Sequence, residues 1–125
     1  MIIRVGTGHV PERHVGAVNE AIRERMPEVL SQEGLVACHL GRQFDATGQK
    51  LLLVTVWRDM HALYRWVDGD LNRRVILRGL DSQLDRFDLQ LYESLVELPE
   101  PTPGDATEAD SEAAPANGAG VAGGR

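Results

Sequence analysis

LLLVTVWRDMHALYRW, residues 51–66, is the stretch whose reading decides the fold. Residues 51–56 carry Leu and Val on both parities, which predicts a strand covered on both faces. Asp59 then suits a helix N-cap, because its carboxylate can accept from the free amides of the first turn. Met60, Leu63 and Val67 recur at three- and four-residue spacing, the pattern of a helix with one apolar stripe. A strand that needs cover on both sides asks for more protein than this chain supplies by itself.

Working back toward the start, residues 2–8 read as a first strand. Ile3, Val5 and Thr7 share one parity; Ile2, Arg4 and Gly6 share the other. Gly6-Thr7-Gly8 lacks the lysine and later glycine of a phosphate loop. Pro11 and Glu12 suit the first turn of a helix, on which Val15, Val18, Ile22, Met26 and Val29 then repeat at helical spacing. Pro27 is expected to kink that helix or end it near Met26, with a further turn over 28–32 before Gly34. Residues 35–43 form the second strand, with Val36, Cys38 and Leu40 on one face and Leu35, Ala37 and His39 on the other. A polar connection over 44–50 makes a hairpin with the central strand.

Beyond the central helix, Asp68-Gly69-Asp70 is a break. Asp70 is expected to cap a second short helix carrying Leu71, Val75 and Leu80, with Arg73, Arg74 and Arg78 on its exposed face. Residues 86–96 form the last strand. The order is an α+β, ferredoxin-like βαββαβ with an antiparallel sheet and both helices on one face.

Composition narrows the function. Twelve of the thirteen basic residues are Arg, and the net charge of −6 argues against a general nucleic-acid binder. Cys38 is the one cysteine, so no intrachain disulfide and no cysteine metal cluster is expected. No run of about 18 apolar residues is present, and Met1-Ile2-Ile3-Arg4 does not open a secretory signal. The expected compartment is the cytoplasm, with no membrane and no nucleic-acid partner. Residues 99–125 hold four Pro, five Gly, seven Ala and five acids, and carry −4 of the charge. Such a segment buries too little apolar surface to offset chain entropy, so a disordered acidic tail is expected after a domain of residues 1–98.

The element order, Thr55-Val56-Trp57 leading into a helix, and Trp66 within that helix resemble the antibiotic-biosynthesis-monooxygenase-like domains of the dimeric α+β barrel superfamily. The resemblance covers roughly residues 1–98. It implies a homodimer in which two sheets meet face to face, and a pocket between the second helix and the sheet. One branch of the family degrades haem, using an Asn on the first strand, a Trp on the second helix and a His further on. Trp66 matches the Trp. The Asn position falls at or near Thr7, and the His position at or near Val75 or Ile76, so the iron ligand is missing and haem is not favoured. A second branch oxidises aromatic phenols without metal or flavin. For it the chain offers Trp66 as a stacking surface, Thr7, Tyr64 and His61 as polar lining, Arg73 as an anion clamp and His39 as the catalytic base.

The function implied is a small cofactor-independent monooxygenase acting on an aromatic or quinol-like molecule, with no metal site. Two alternatives stand beside it: a non-catalytic protein binding a small aromatic ligand, and a haem-binding protein without the usual His. Plainer readings apply to each residue. A Trp on an amphipathic helix is mostly core. His39 on an apolar strand is usually a hydrogen-bonded interior or interface histidine. His61 in a first helical turn is exposed, the arginine cluster is a solvated face, and Cys38 is a small apolar residue.

Overall fold

In the computed structural model, which describes residues 1–96, the chain forms four strands and two helices. They are β1 (Ile2–Pro11), α1 (Val15–Leu30), β2 (Leu35–Asp45), β3 (Gly48–Trp57), α2 (Met60–Trp66) and β4 (Arg86–Glu93). The sheet order is β2-β3-β1-β4 and every neighbouring pair is antiparallel. This is the expected ferredoxin-like α+β topology. The tail expected over 99–125 lies outside the described residues.

β3 is an inner strand and its burial alternates. Leu51, Leu53, Thr55 and Trp57 are buried, whereas Leu52 is 42% exposed. The buried set faces the helices. Val18, Ile22 and Val29 of α1 join Val10, Leu51 and Leu53 in the main core, and Ala62, Leu63 and Val67 pack on Trp57 in a second cluster. The apolar residues of the other parity lie open in the single chain.

Local chemistry explains the element ends. Asp59 caps α2 as expected, its side chain accepting from the Ala62 amide at 2.9 Å. Gly34 has φ +89, and a Cβ there would stand 2.4 Å from the Ala62 Cβ. Only glycine lets the chain leave α1 and pass this close to α2. Gln49 is fully buried on β3, yet it exchanges two amide hydrogen bonds with Asn19 of α1, at 2.8 and 3.1 Å. That pair satisfies both groups and pins the helix to the sheet.

Four expectations are corrected. Pro11 ends β1, and a 3-10 turn over Glu12–His14 precedes α1. Pro27 sits inside α1 without ending it; it is on the exposed side, where the carbonyl left without its amide partner is open to water. The hairpin is tight, with Phe44, Gln49 and Lys50 in strands, because Asp45 accepts from the amides of both Thr47 and Gly48 at 2.8 Å. No second short helix forms over 70–80: Asp70 makes a local turn to the Asn72 amide at 3.0 Å, and only a 3-10 turn, Asp81–Gln83, precedes β4. Ile76, Leu77 and Leu80 are nonetheless buried, so this irregular stretch supplies core without helix. No helix among the described residues is long and apolar enough to cross a membrane.

Candidate functional site

The helix-facing parity of β1 runs Ile2, Arg4, Gly6, Gly8, Val10. Arg4 stands opposite Thr55 on β3 and Leu91 on β4. It is 6% exposed, a cation inside the layer between sheet and helices. One terminal nitrogen donates to the carbonyls of Leu71, at 3.3 Å, and Arg73. Its Nε is buried without a partner, as is Nε1 of Trp57.

Both side chains touch Trp66. The two indoles are 4.9 Å apart and tilted by 33°. The Arg4 guanidinium carbon lies 5.5 Å from the Trp66 ring centroid, within cation–π range. Burial pulls the Arg4 pKa down to about 10, with nearby Asp70 opposing that shift. A hollow of about 10 Å³, room for about one water, is lined by Arg4 and Trp66 together with Gly6, Thr55, Val75, Ile76 and Phe87. Trp66 is half-buried and packs on both core clusters, so it joins wall and core.

The residues singled out in the sequence do not gather around Trp66. His61 and Tyr64 lie on the exposed side of α2. The Arg73 side chain is exposed and pairs with Asp68 at 3.3 Å; only its carbonyl reaches the site. Thr7 pairs with Leu52 and Asp88, and His39 with Val54. Both therefore sit on the sheet face away from the helices and from Trp66. Val75 and Ile76, at the position of the missing imidazole, do line the hollow.

Two groups escaped the sequence reading. Arg4 carried a signal: it is a charge on an otherwise apolar strand, at the parity shared with Gly6. His9 carried none. It is 6% exposed, with Nδ1 3.0 Å from Asp85 and Nε2 3.0 Å from the Thr47 hydroxyl and 3.4 Å from Asp45. These contacts tie the β2–β3 turn to the start of β4. The amide and hydroxyl of Thr47 hold the Asp45 carboxyl down at about 2, helped by the Gly48 amide and His9.

A larger concavity of about 550 Å³ opens elsewhere, lined by Thr7, Gly41, Leu52, Lys50, Arg86 and Asp88 among others. It belongs largely to the uncovered sheet face and includes no part of Trp66. Among the described residues no group of three His, Cys, Asp or Glu side chains is placed to hold a metal ion.

Residues 1–76 match the antibiotic biosynthesis monooxygenase family. No curated protein is similar enough in sequence to match. Among solved structures, an antibiotic biosynthesis monooxygenase-like protein of Deinococcus radiodurans superposes with a TM-score of 0.65 at 13% identity, over 79% of this chain and 97% of that one. The cofactor-independent oxygenase SnoaB of Streptomyces nogalater gives 0.58 at 16% identity, over 79% and 98%. The haem degrader MhuD of Mycobacterium tuberculosis gives 0.57 at 16% identity, over 79% and 100%. At these identities the likenesses carry the fold, which hosts both chemistries and does not choose between them.

Proposed function

From the premise that this chain belongs to the antibiotic biosynthesis monooxygenase family, we propose that the one-water hollow beside Trp66 widens, by movement of Phe87 or of the irregular wall Val75, Ile76 and Leu77, to receive an aromatic or quinol-like molecule, which the protein oxygenates without metal or flavin. The observation that carries this reading is the pair of buried donors, Arg4 Nε and Trp57 Nε1, left without acceptors beside a stacked indole. Buried donors are nearly always satisfied. Arg4 lines the hollow, and its free Nε suits a ligand oxygen.

In this reading the substrate does the redox chemistry. A deprotonated phenol passes one electron to O2, the radical pair joins through a C–O bond to a peroxide that takes up the phenol's proton, and loss of water with the ring hydrogen breaks the O–O bond to leave a quinone. The protein stacks the ring, holds its charge and excludes water. The residues present do not fit a haem: the hollow is lined by guanidinium, hydroxyl, indole, phenyl and aliphatic groups, with no imidazole or thiolate for an axial bond. Added haem should therefore give no His-ligated spectrum.

The test is O2 uptake with a dihydroxynaphthalene. The full chain should exceed the buffer rate, and Trp66→Ala should fall back toward it. Equal rates for both proteins would overturn the proposal. A second reading, passive binding of the same ligand, is favoured by one observation: no carboxylate or imidazole lines the hollow to act as base. Ligand binding without O2 uptake would select it.

The assembly proposed is a homodimer through the open sheet face. Ile3 and Val5 of β1, Leu52, Val54 and Val56 of β3, and Tyr92 of β4 share that face, and Tyr92 is 51% exposed. A contiguous apolar sheet face of this kind marks an interaction surface, and a second copy supplies a self-complementary one. Thr7 and His39 then belong to the interface. Sedimentation at micromolar concentration should give twice the chain mass; a stable monomer would contradict the barrel.

A further inference from the structure

We propose that the hollow of about 550 Å³ at the His9 end of the open sheet face is a second binding site, and that its ligand is a sugar phosphate, a phosphate monoester on a compact hydroxylated body. The site shares no lining residue with the hollow beside Trp66, so the inference stands apart from the oxygenase reading.

Strand register lays the site out in two rows. Gln43, Lys50, His9 and Arg86 stand side by side across β2, β3, β1 and β4. Gly41, Leu52, Thr7 and Asp88 form the next row of the same face. The first row is cationic. Lys50 and Arg86 flank His9, roughly 10 Å apart at the backbone, two strand spacings that their long side chains can close. Arg42 of the edge strand β2 lines the hollow as well. None of these three cations forms an ion pair among the described residues, and Arg42 lies 4.9 Å over the Phe44 ring instead. Elsewhere the chain does the opposite. Arg23, Arg65, Arg73 and Arg74 each meet a carboxylate within 3.5 Å, although each side chain is at least 34% exposed. The carboxylates of the adjoining turns are already engaged, Asp45 and Asp85 lying 3.4 and 3.0 Å from the two ring nitrogens of His9. A concavity lined by unpaired cations concentrates anions, and guanidinium with ammonium is a donor set for phosphate.

The second row supplies different chemistry. Thr7 and Asp88 are cross-strand partners, a hydroxyl beside a carboxylate, about 7 Å along the strands from the cations. Asp88 repels a bare phosphate but accepts from a ligand hydroxyl, as does the amide oxygen of Gln43. Three cations against this one carboxylate leave two positive charges, a match for a phosphate monoester's charge of about −2. Gly41 keeps the hollow wide: a Cβ there would meet nothing nearer than the Leu52 Cβ, at 3.9 Å. The volume is in the range of small-molecule sites and leaves room for a body beyond the phosphate. No aromatic side chain lines the hollow, so nothing there selects a flat ring.

The test is calorimetric titration of the full chain with glucose 6-phosphate, glucose and inorganic phosphate. The sugar phosphate should bind at least about tenfold more tightly than either of the others. Lys50→Gln and Arg86→Gln should each weaken it about tenfold, the scale of a hydrogen bond to a charged group. Gly41→Leu should weaken it by filling the hollow with every charge unchanged. Asp88→Ala should narrow the gap between sugar phosphate and inorganic phosphate. Arg65→Gln, which removes a cation from α2, should change nothing. All five positions are exposed, so the core is untouched. No binding of glucose 6-phosphate by the native chain overturns the inference, and so does glucose binding as tightly. A loss in Arg65→Gln equal to that in Lys50→Gln would mean attraction by overall charge, and overturns it too. Inorganic phosphate binding as tightly as the sugar phosphate overturns the hydroxylated body. Each of these failures leaves the Trp66 reading standing, because O2 uptake is measured with no phosphate ligand.

Discussion

The two faces of the sheet are built from the same four strands and differ in what they leave unsatisfied. The helix face is closed over, and it leaves polar groups unsatisfied, among them the Arg4 Nε–H and the Trp57 indole N–H. The open face is polar at the His9 end and apolar toward Tyr92, and what it lacks is cover. An orphaned donor asks for an acceptor; an uncovered apolar face asks for another apolar face. The contrast is the ground for proposing a small ligand on one side and a second chain on the other, although the roomier hollow lies on the open face.

The largest expected effect is on the open face. In the proposed symmetric dimer Leu52→Asp would place two like charges in the interface, where burial costs several kcal/mol per ion. Sedimentation should then show monomer, while the helix-face core stays intact. A dimer unchanged by this substitution would mean that the open face is not the interface.

Next in size is Trp66→Ala. If the indole is a ligand wall, binding of an aromatic probe should weaken by on the order of 1–3 kcal/mol with the dimer still folded. If it is only core, the cost appears as roughly 3–5 kcal/mol of stability instead. Calorimetry and thermal unfolding together separate the two outcomes.

Asp59→Ala is smaller. It removes the acceptor for the Ala62 amide and should cost about 1 kcal/mol in denaturant unfolding, felt at α2 beneath Trp66. No change would show that α2 is held by its core contacts alone.

Smallest is the acid response of the Asp45 turn. The folded-state pKa, about 2, lies below the ordinary 3.8. The ionised form therefore favours folding above pH about 4, and that contribution is lost as pH falls toward 2. The difference in urea midpoint between the native chain and Asp45→Ala should shrink across this window. A constant difference would mean that the carboxylate does not act through its charge.

The fold was legible in the sequence wherever local chemistry and packing agree. The Asp59 cap, the α1 stripe and the element order needed only spacing and one good acceptor. The 70–80 stretch was not legible because its apolar spacing mimics a helix while its backbone is used otherwise. Asp68, Gly69 and Gly79 adopt positive φ. The Leu71 and Arg73 carbonyls, which a helix would turn to later amides, accept from Arg4 instead. That bond spans more than sixty residues of sequence, and no local pattern reports it. The same gap put the Arg73 side chain forward as an anion clamp, whereas it pairs with Asp68 and only its carbonyl meets Arg4. Thr7 came from the family's first-strand position and His39 from its place on a sheet strand, and strand parity puts both on the face away from Trp66.

The division of labour between the faces is tested most directly by methyl chemical shifts during titration with 2-naphthoate. The account predicts shifts at Leu53, Val75, Ile76 and Leu77, which line the hollow beside Arg4 and Trp66, with Val5, Leu52, Val54 and Val56 unmoved. Shifts confined to Leu52 and its neighbours on the open face, with Val75 and Ile76 silent, would contradict it.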